Sequence, residues 1–270
     1  MAVVFSPENH RYTSLDMFNP VEWRSFSRIS GMFKKSFDAE KTALSSSTKK
    51  GGKWYGIPPH RILEIWQLEN KRAVDLGHWY HESEEQTSLN SSHYLYKEKQ
   101  LPIIKSIWEN GLKLAPNQKL TEGLYPEHLC YSLPSRVCGQ MDRVLVYDGV
   151  VDVLDYKTNK DVKKPAYVNW EGITSKMNPP LLHLDDCKLV EYAIQLSLGM
   201  YVILRHNPQL KAGKLIINYI SFETLGEDQY GYPIMAKTDA GDYIVKGVED
   251  IEVPYLKREV ELILNFLNPK

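Results

Sequence analysis

Two aspartates and a lysine, Asp142, Asp155 and Lys157, carry the kinds of side chain that metal-assisted chemistry on a phosphate needs. Carboxylate oxygens are the ligands that the hard cations Mg²⁺ and Mn²⁺ prefer. A nearby ammonium group can orient an attacking water or neutralise developing negative charge. Whether these three side chains meet depends on the backbone that connects them.

The segment Arg136–Thr158 predicts an antiparallel β-hairpin. It contains two runs rich in β-branched and aromatic residues, Val137–Tyr147 and Val150–Tyr156. Between them lies Asp148-Gly149, the dipeptide that a two-residue type I′ turn prefers. A two-residue turn also fixes which residues of the two strands face each other.

In that register Tyr147 faces Val150 and, further from the turn, Asp142 faces Asp155. Lys157 lies two residues beyond Asp155 and therefore points to the same face of the sheet. The hairpin is thus predicted to bring two carboxylates and one ammonium group together at its open end.

Two carboxylates directly opposite each other destabilise a sheet unless something offsets their repulsion. In one interpretation Asp142 and Asp155 are exposed to solvent, with Lys157 as a neighbouring charge. In the other, Mg²⁺ or Mn²⁺ lies between the carboxylates and also binds a phosphate of the substrate. The hairpin alone leaves both interpretations open.

A long helix is predicted from Pro58-Pro59 to about Gln86, because apolar residues recur there at helical spacing. Gly77, His81 and Glu85 are four residues apart and lie along one face of it. Gly77 lets another part of the chain approach closely, and His81 can bind a metal or a phosphate. The alternative is a structural histidine on a helix whose glutamates form a solvated face.

A second helix, predicted from about Asp186 to Arg205, places Gln195 on an apolar face shared with Tyr192, Gly199 and Val202. A polar amide on a buried face needs hydrogen-bond partners. Those partners are either groups of the protein core or a bound nucleotide.

The remaining pattern predicts one compact domain, with a helical and basic N-terminal extension at residues 1–60 and a core at residues 61–270. A Ser/Gly-rich basic segment, Ser45–Lys53, is predicted to be a mobile loop that either contacts a phosphate backbone or is simply solvated. The other predicted elements are a strand at His10–Thr13, helices at Trp23–Lys35 and about Ser92–Leu112, strands at Leu215–Glu223 and Asp242–Val248, and a terminal helix at Pro254–Leu267.

Composition narrows the class of protein. The chain has 270 residues, 43% hydrophobic and 25% charged, which is typical of a folded globular protein. Its 33 Lys and Arg against 34 Asp and Glu give a net charge of -1, so an anionic partner must be bound by a local basic patch. Three cysteines without a C-x-x-C pair argue against a disulfide framework, a zinc ribbon and a cysteine-ligated iron–sulfur cluster. No G-x-x-x-x-G-K-[ST] loop is present, which argues against a motor driven by nucleotide hydrolysis.

The sequence contains no signal for a membrane. Met1–Ser6 has neither the cationic leader nor the apolar region of a signal peptide. The longest apolar runs, such as Met200–Leu204, are far shorter than the roughly 20 residues that span a bilayer. We therefore expect a cytoplasmic protein with no membrane partner.

Taken in chain order, these features form a recognisable series. It consists of Gly77-x-x-x-His81-x-x-x-Glu85, then Gly139-Gln140-Met141-Asp142-Arg143, then Asp155-Tyr156-Lys157-Thr158, and then Gln195 within a helix. The series resembles the PD-(D/E)XK nuclease superfamily, in particular its RecB-like branch, which includes mitochondrial genome maintenance exonucleases, CRISPR-adaptation exonucleases and many phage exonucleases. His10-Arg11-Tyr12 and Ser25-Phe26-Ser27-Arg28 also resemble the N-terminal part of the phage and mitochondrial members.

The resemblance implies an α/β fold with a central mixed β-sheet flanked by helices, the restriction-endonuclease-like core. It implies the catalytic residues Asp142, Asp155, Lys157 and Glu85. The implied ligands of Mg²⁺ or Mn²⁺ are His81, Asp142, Asp155 and the backbone carbonyl of Tyr156. The residues expected to contact DNA are Gln195, Arg28, Lys34, Lys35, Thr158 and Lys160.

The sequence departs from the pattern of the superfamily at three positions. His78 follows the glycine where a small hydroxyl residue is usual, and Met141 stands where the name of the superfamily has proline. Gly199 stands where a tyrosine is expected four residues after Gln195. The nearest tyrosines on that helix are Tyr192 and Tyr201.

The function expected from this resemblance is that of a metal-dependent deoxyribonuclease. It would hydrolyse phosphodiester bonds from single-stranded or free DNA ends, in replication, recombination or repair, in the cytoplasm of a bacterium or a phage-infected host. Two alternatives stay open, namely a structure-specific endonuclease on the same core and a catalytically inactive nucleic-acid-binding protein. Proteins of replication or recombination are expected as further partners, and the sequence defines no oligomeric state.

Overall fold

The computed structural model describes residues 3–16, 18, 20–160 and 162–268, and predictions for the other positions lie outside the described residues. The helices are α1 (Phe26–Met32), α2 (Ala39–Thr48), α3 (Pro59–Asn90), α4 (Lys188–His206) and α5 (Lys257–Leu267). The first strands are β1 (Val3–Ser6), β2 (Arg11–Ser14), β3 (Arg24–Ser25), β4 (His93–Tyr96), β5 (Lys99–Pro102), β6 (Ile107–Glu109) and β7 (Leu112–Leu114). They are followed by β8 (Gly123–Ser132), β9 (Val137–Tyr147), β10 (Val150–Lys157), β11 (Lys211–Phe222), β12 (Thr224–Glu227), β13 (Pro233–Met235) and β14 (Val245–Val253).

A six-stranded mixed sheet forms the centre of the fold. Its order is β14-β11-β10-β9-β3, and β8 also pairs with β9. The pairs β8–β9, β9–β10 and β11–β14 are antiparallel, whereas β10–β11 and β3–β9 are parallel. Helix α4 makes the crossover between the parallel strands β10 and β11. The predicted α/β fold with a central mixed sheet is therefore confirmed.

Helices cover both faces of the central sheet. On one face α4 contributes Ile194 and Leu196 to the main core, together with Val153 of β10. On the other face α3 places Leu76 and Tyr80 against aromatic and aliphatic residues of the sheet, a cluster completed by Tyr156, Ile220 and Phe222. This arrangement puts one long helix on each side of β10. None of the described helices is long and apolar enough to cross a membrane.

The first 60 residues pack onto this core as strands as well as helices. Strand β3 joins the central sheet, and α1 buries Phe26, Ile29 and Phe33 in the main core. Strands β1 and β2 form a separate four-stranded sheet with β6 and β7, in the order β2-β1-β7-β6. This second sheet brings part of β7 to the site described below.

The predicted hairpin is confirmed in its turn and its register. Tyr147 pairs with Val150 and Val146 with Val151, as expected for a two-residue turn. Asp148 and Gly149 have positive φ angles of 47° and 74°, which is the type I′ geometry that this dipeptide favours.

The predicted helix at Ser92–Leu112 is wrong, because this segment forms strands β4 to β7. Lys97 and Glu98 adopt positive φ angles between β4 and β5, and Asn110 and Gly111 do so between β6 and β7. Two such residues in succession interrupt any helix and make tight hairpin turns.

The prediction of a mobile loop at Ser45–Lys53 is also wrong for its first part, where α2 continues to Thr48. Asp38 caps the start of this helix by accepting a hydrogen bond from the backbone N–H of Lys41. The hydroxyl of Ser45 donates to the carbonyl of Thr42, so this hydroxyl group is satisfied within the helix. The helix predicted at Trp23–Lys35 is shorter than expected, because α1 spans only Phe26–Met32.

Candidate metal and catalytic site

Strands β9 and β10 separate from each other at Asp142. Their last paired residues are Arg143 and Leu154, one position before the predicted Asp142–Asp155 pair. Beyond that point the backbone N–H of Tyr156 donates to Oδ2 of Asp142 at 2.6 Å. The buried carboxylate of Asp142 thus fills the fork between the two strands.

Three potential metal ligands meet at this fork. His81 comes from α3, Glu127 from β8 and Asp142 from β9, and one ligand atom of each lies within 4.8 Å of the others. Nδ1 of His81 is 3.5 Å from Oδ1 of Asp142 and 3.7 Å from Oε1 of Glu127. One imidazole and two carboxylates form a donor set suited to Mg²⁺ or Mn²⁺.

Glu127 is the potential metal ligand that the sequence analysis missed. Its neighbours pair as Pro126 with Arg143 and His128 with Met141, so Glu127 lies directly across from Asp142. Its φ angle of 49° is unusual for a residue within a strand. A glutamate beside a proline in an otherwise buried strand is the signal that could have identified it, because buried charges need a partner or a metal.

Asp155 and Lys157 form an ion pair next to the metal group. Asp155 is 2% exposed, and its Oδ2 contacts Nζ of Lys157. The same ammonium group lies 3.2 Å from the backbone carbonyl of Tyr156, which the sequence assigned to the metal. The structure therefore brings Asp142, Asp155 and Lys157 together as predicted, with Asp155 bound to the lysine.

Helix α4 contributes two polar side chains to this ion pair. Nε2 of Gln195 lies 3.5 Å from Oδ1 of Asp155, so its partner in this structure is one of the predicted catalytic carboxylates. The ring of Tyr192 is 4.9 Å from Nζ of Lys157, and its hydroxyl donates to Asn159 at 2.9 Å. Tyr192 is thus the tyrosine of α4 that contacts the predicted catalytic lysine.

Gly199 has a packing role instead. A Cβ atom at this position would stand 2.2 Å from the sulfur of Met141, which is fully buried. The missing side chain is needed for α4 to pack on β9, so a tyrosine ring has no space here.

Glu85 lies beyond the three-ligand group and is held by a different residue. Its Oε1 is 3.7 Å from Nζ of Lys113, a side chain of β7 that is only 2% exposed. No sequence pattern identifies Lys113, because in Leu112–Leu114 the flanking leucines are partly exposed and the lysine is buried. This inverts the usual alternation of a half-buried strand.

The ionisable groups of the site shift each other's pKa values. Burial disfavours the charged imidazole, but the carboxylates of Asp142 and Glu127 outweigh burial and raise the pKa of His81 to about 9. Burial also raises the pKa of Asp142, assisted by the charges of Asp155 and Glu127. The site is therefore rich in negative charge that a bound cation would stabilise.

Burial opposes the charge of Lys157, yet the nearby carboxylates of Asp155 and Asp142 outweigh it and raise the pKa of the lysine above its ordinary value. Lys157 is accordingly an ammonium ion at neutral pH. A protonated lysine can stabilise negative charge but has no lone pair with which to accept a proton.

The residues predicted to contact DNA have different surroundings. Nζ of Lys34 is 2.9 Å from Glu191, and Nζ of Lys35 donates to Asn178 at 3.1 Å, so both lysines already have partners. Arg28 is exposed on α1 and is distant in the sequence from His81, Glu127 and Asp142. Thr158 and Lys160 follow directly after β10. Oγ1 of Thr158 lies 3.5 Å from the position that a Cβ atom on Gly77 would take. Nζ of Lys160 is 5.3 Å from the ring centre of Tyr232.

Comparison with protein-family models, with curated proteins and with solved structures gives no match for this chain.

Proposed function

We propose that this protein is a metal-dependent deoxyribonuclease with a RecB-like, PD-(D/E)XK type of active site, acting on single-stranded or free DNA ends. One observation carries this proposal. His81, Glu127 and Asp142 form a potential ligand group beside the ion pair of Asp155 and Lys157, so the motif residues of α3, β9 and β10 lie together. The preference for DNA ends rests on the resemblance described above.

The chain's own residues divide the chemistry between them. His81, Glu127 and Asp142 would hold Mg²⁺ or Mn²⁺, which supplies Lewis-acid stabilisation of a phosphate and a more acidic water. Lys157 provides a fixed positive charge for the phosphodiester, because its raised pKa keeps it protonated. Asp155 and Gln195 hold this lysine in position.

Lys157 therefore acts as a cation in this mechanism and not as the general base. The proton of the attacking water must go to another acceptor, such as a carboxylate of the site or bulk water. An endonuclease would use the same groups, so the difference between the two activities lies in how DNA enters the site.

A basic and aromatic cluster adjoins the site and offers a path for the DNA strand. Lys160 lies three residues after Lys157, within about 10 Å along the chain. The ring centre of Tyr232 is 5.3 Å from Nζ of Lys160 and 4.5 Å from Nζ of Lys53. Within the described residues, neither of these two ammonium groups has a carboxylate within 4.0 Å. Unpaired cations beside aromatic rings are typical of surfaces that bind single-stranded nucleic acid.

Replacing either Lys53 or Lys160 with alanine is expected to weaken the salt dependence of binding to single-stranded DNA. Each lost phosphate contact should lower the slope of log K against log salt by about 0.7, because fewer counterions are released. Fluorescence anisotropy with a labelled oligonucleotide in EDTA measures this slope without cleavage. Lys176→Ala is the matched control, because Lys176 is paired with Asp185. An unchanged slope in both variants would exclude this path.

The proposed activity is tested with end-labelled single-stranded, blunt duplex and covalently closed circular DNA in Mg²⁺, Mn²⁺ or EDTA. We expect metal-dependent degradation of the linear substrates only, and loss of that activity in Lys157→Ala. Cleavage of the circular DNA would show that the activity is that of an endonuclease and not of an exonuclease. Binding without cleavage of any substrate would contradict the enzymatic proposal and leave a nucleic-acid-binding protein.

A further inference from the structure

Among the described residues, Lys113 is a buried charged side chain near the site that the proposed mechanism leaves without a role. It lies on β7 of the four-stranded sheet, which is separate from the sheet that carries the catalytic strands. Its side chain is 2% exposed, a burial that is rare for lysine unless the charge is paired. The second sheet therefore delivers an ammonium group to the interior at the edge of the metal site.

The surroundings of Lys113 are those of a bound cation. Its Nζ lies 3.7 Å from Oε1 of Glu85 and 5.4 Å from the ring centre of Trp108. Burial lowers the pKa of Lys113, and the carboxylates whose charges oppose this shift are Glu127, Glu85 and Asp142. Two of these belong to the three-ligand group, so Lys113 and a metal bound by His81 would share the same carboxylates.

The carboxylates of the site thus fall into three groups, each with its own cation. Asp155 pairs with Lys157, and Glu85 pairs with Lys113. Glu127 and Asp142 face His81, where the third cation would be a divalent metal. A second metal that used Glu85 as a ligand would compete with the ammonium group of Lys113, whose Nζ lies 3.7 Å from Oε1 of Glu85.

The charge of the site agrees with a single metal ion. The carboxylates of the three groups above are Glu85, Glu127, Asp142 and Asp155. The ammonium groups among them are Lys113 and Lys157. With His81 neutral, as a metal ligand must be, four negative charges are balanced by two ammonium groups and one divalent cation. In the absence of substrate, a second divalent ion would add two positive charges that these four carboxylates do not balance.

We infer that Lys113 is a fixed cation in the position of a second metal, and that the active site consequently binds one divalent ion. This inference rests on the proposed metal site, and it assigns Lys113 and Glu85 as positioning residues for it. Removing the ammonium group would leave Glu85 without its cation, close enough to Glu127 for the two charges to act on each other. Such a pair is itself a divalent-cation site.

The number of bound Mn²⁺ ions tests this inference without any measurement of activity. Electron paramagnetic resonance of free Mn²⁺, titrated with the full-length protein, should show one ion per wild-type chain and none in Asp142→Asn. Lys113→Met should bind a second, weaker Mn²⁺. Lys113→Met combined with Glu85→Gln should return to one ion, because the second site has lost a ligand, and Lys113→Arg should also bind one.

Two bound ions in the wild-type protein would overturn the inference, whether or not the variants fold. A folded Lys113→Met protein that still binds one ion would overturn it as well, and circular dichroism checks the fold. One bound ion without cleavage of DNA would contradict the proposed function while the inference holds. A wild-type protein that binds no Mn²⁺ would overturn both.

Discussion

Replacing Asp142 with asparagine is expected to lower the rate of DNA hydrolysis by about 10³-fold without unfolding the protein. The substitution removes a negative charge from the three-ligand group but keeps the size of the side chain. The amide oxygen of asparagine can still accept the hydrogen bond from the N–H of Tyr156, so the fork between β9 and β10 should persist. Single-turnover cleavage of a labelled single strand at saturating Mg²⁺ measures the loss.

Asp148→Asn is the matched control, because it makes the same chemical change in the exposed turn of the same hairpin. Its rate should stay within about twofold of the wild type, as for most surface substitutions. Equal rates for the wild type and Asp142→Asn would show that Asp142 does not take part in the hydrolysis of DNA.

The Asp142→Asn variant has a second, independent readout in the metal-free protein. The carboxylate of Asp142 is the strongest influence that raises the pKa of His81 to about 9. Asp142→Asn should therefore lower the pKa of His81, while Asp148→Asn leaves it unchanged. An NMR titration of the His81 ring measures both. A His81 pKa that is the same in both variants would contradict the contact between the two side chains.

The hairpin was predictable because the information that defines it is local. Asp148-Gly149 supplies the turn, and the turn sets the register that carries Asp142, Asp155 and Lys157 to one end. The long helix was predictable for a similar reason, since helical spacing of apolar residues extends along most of α3. The hairpin and the long helix are therefore both determined by sequence patterns that extend over only a few residues.

The rest of the site depends on contacts between distant segments. Glu127 joins the potential ligand group only because β8 pairs with β9 in a register that sets it across from Asp142. Lys113 reaches Glu85 only because β7 belongs to a second sheet. Periodicity within one strand contains neither piece of information, and for Lys113 it predicts the opposite burial.

The tyrosine of α4 illustrates how a motif and a fold can disagree. The motif calls for a tyrosine at position 199, yet Gly199 lies against the buried side chain of Met141. Tyr192, two turns earlier on the helix, contacts Lys157 instead. In the structure Gly199 serves the packing of α4 on β9, and Tyr192 makes the contact with Lys157, a division that helical spacing does not predict.

Replacing Gly139 with alanine is expected to destabilise the protein by about 3 kcal/mol, at the upper end of the usual cost of overpacking a core. A Cβ atom at Gly139 would stand 2.1 Å from Cδ2 and 2.6 Å from Cε2 of Phe26. Phe26 is fully buried between α1 and β9, and a rigid ring cannot yield as a flexible side chain would. Urea denaturation followed by circular dichroism measures the free energy of unfolding.

Gly31→Ala is the control, because no atom lies within 4 Å of the position where its Cβ would stand. Gly31 is within helix α1, so alanine should be neutral or stabilising by up to about 1 kcal/mol. Equal effects of the two glycine substitutions would contradict the close contact with Phe26.

A double-mutant cycle with Phe26→Leu isolates that contact. The smaller leucine leaves room for a methyl group, so the combined variant should lose at least 1 kcal/mol less stability than the two single variants together. Additive losses would mean that Gly139 and Phe26 do not meet. The glycine that begins the Gly139–Arg143 motif is therefore expected to serve the packing of α1 on β9, and Asp142 three residues later to serve the chemistry.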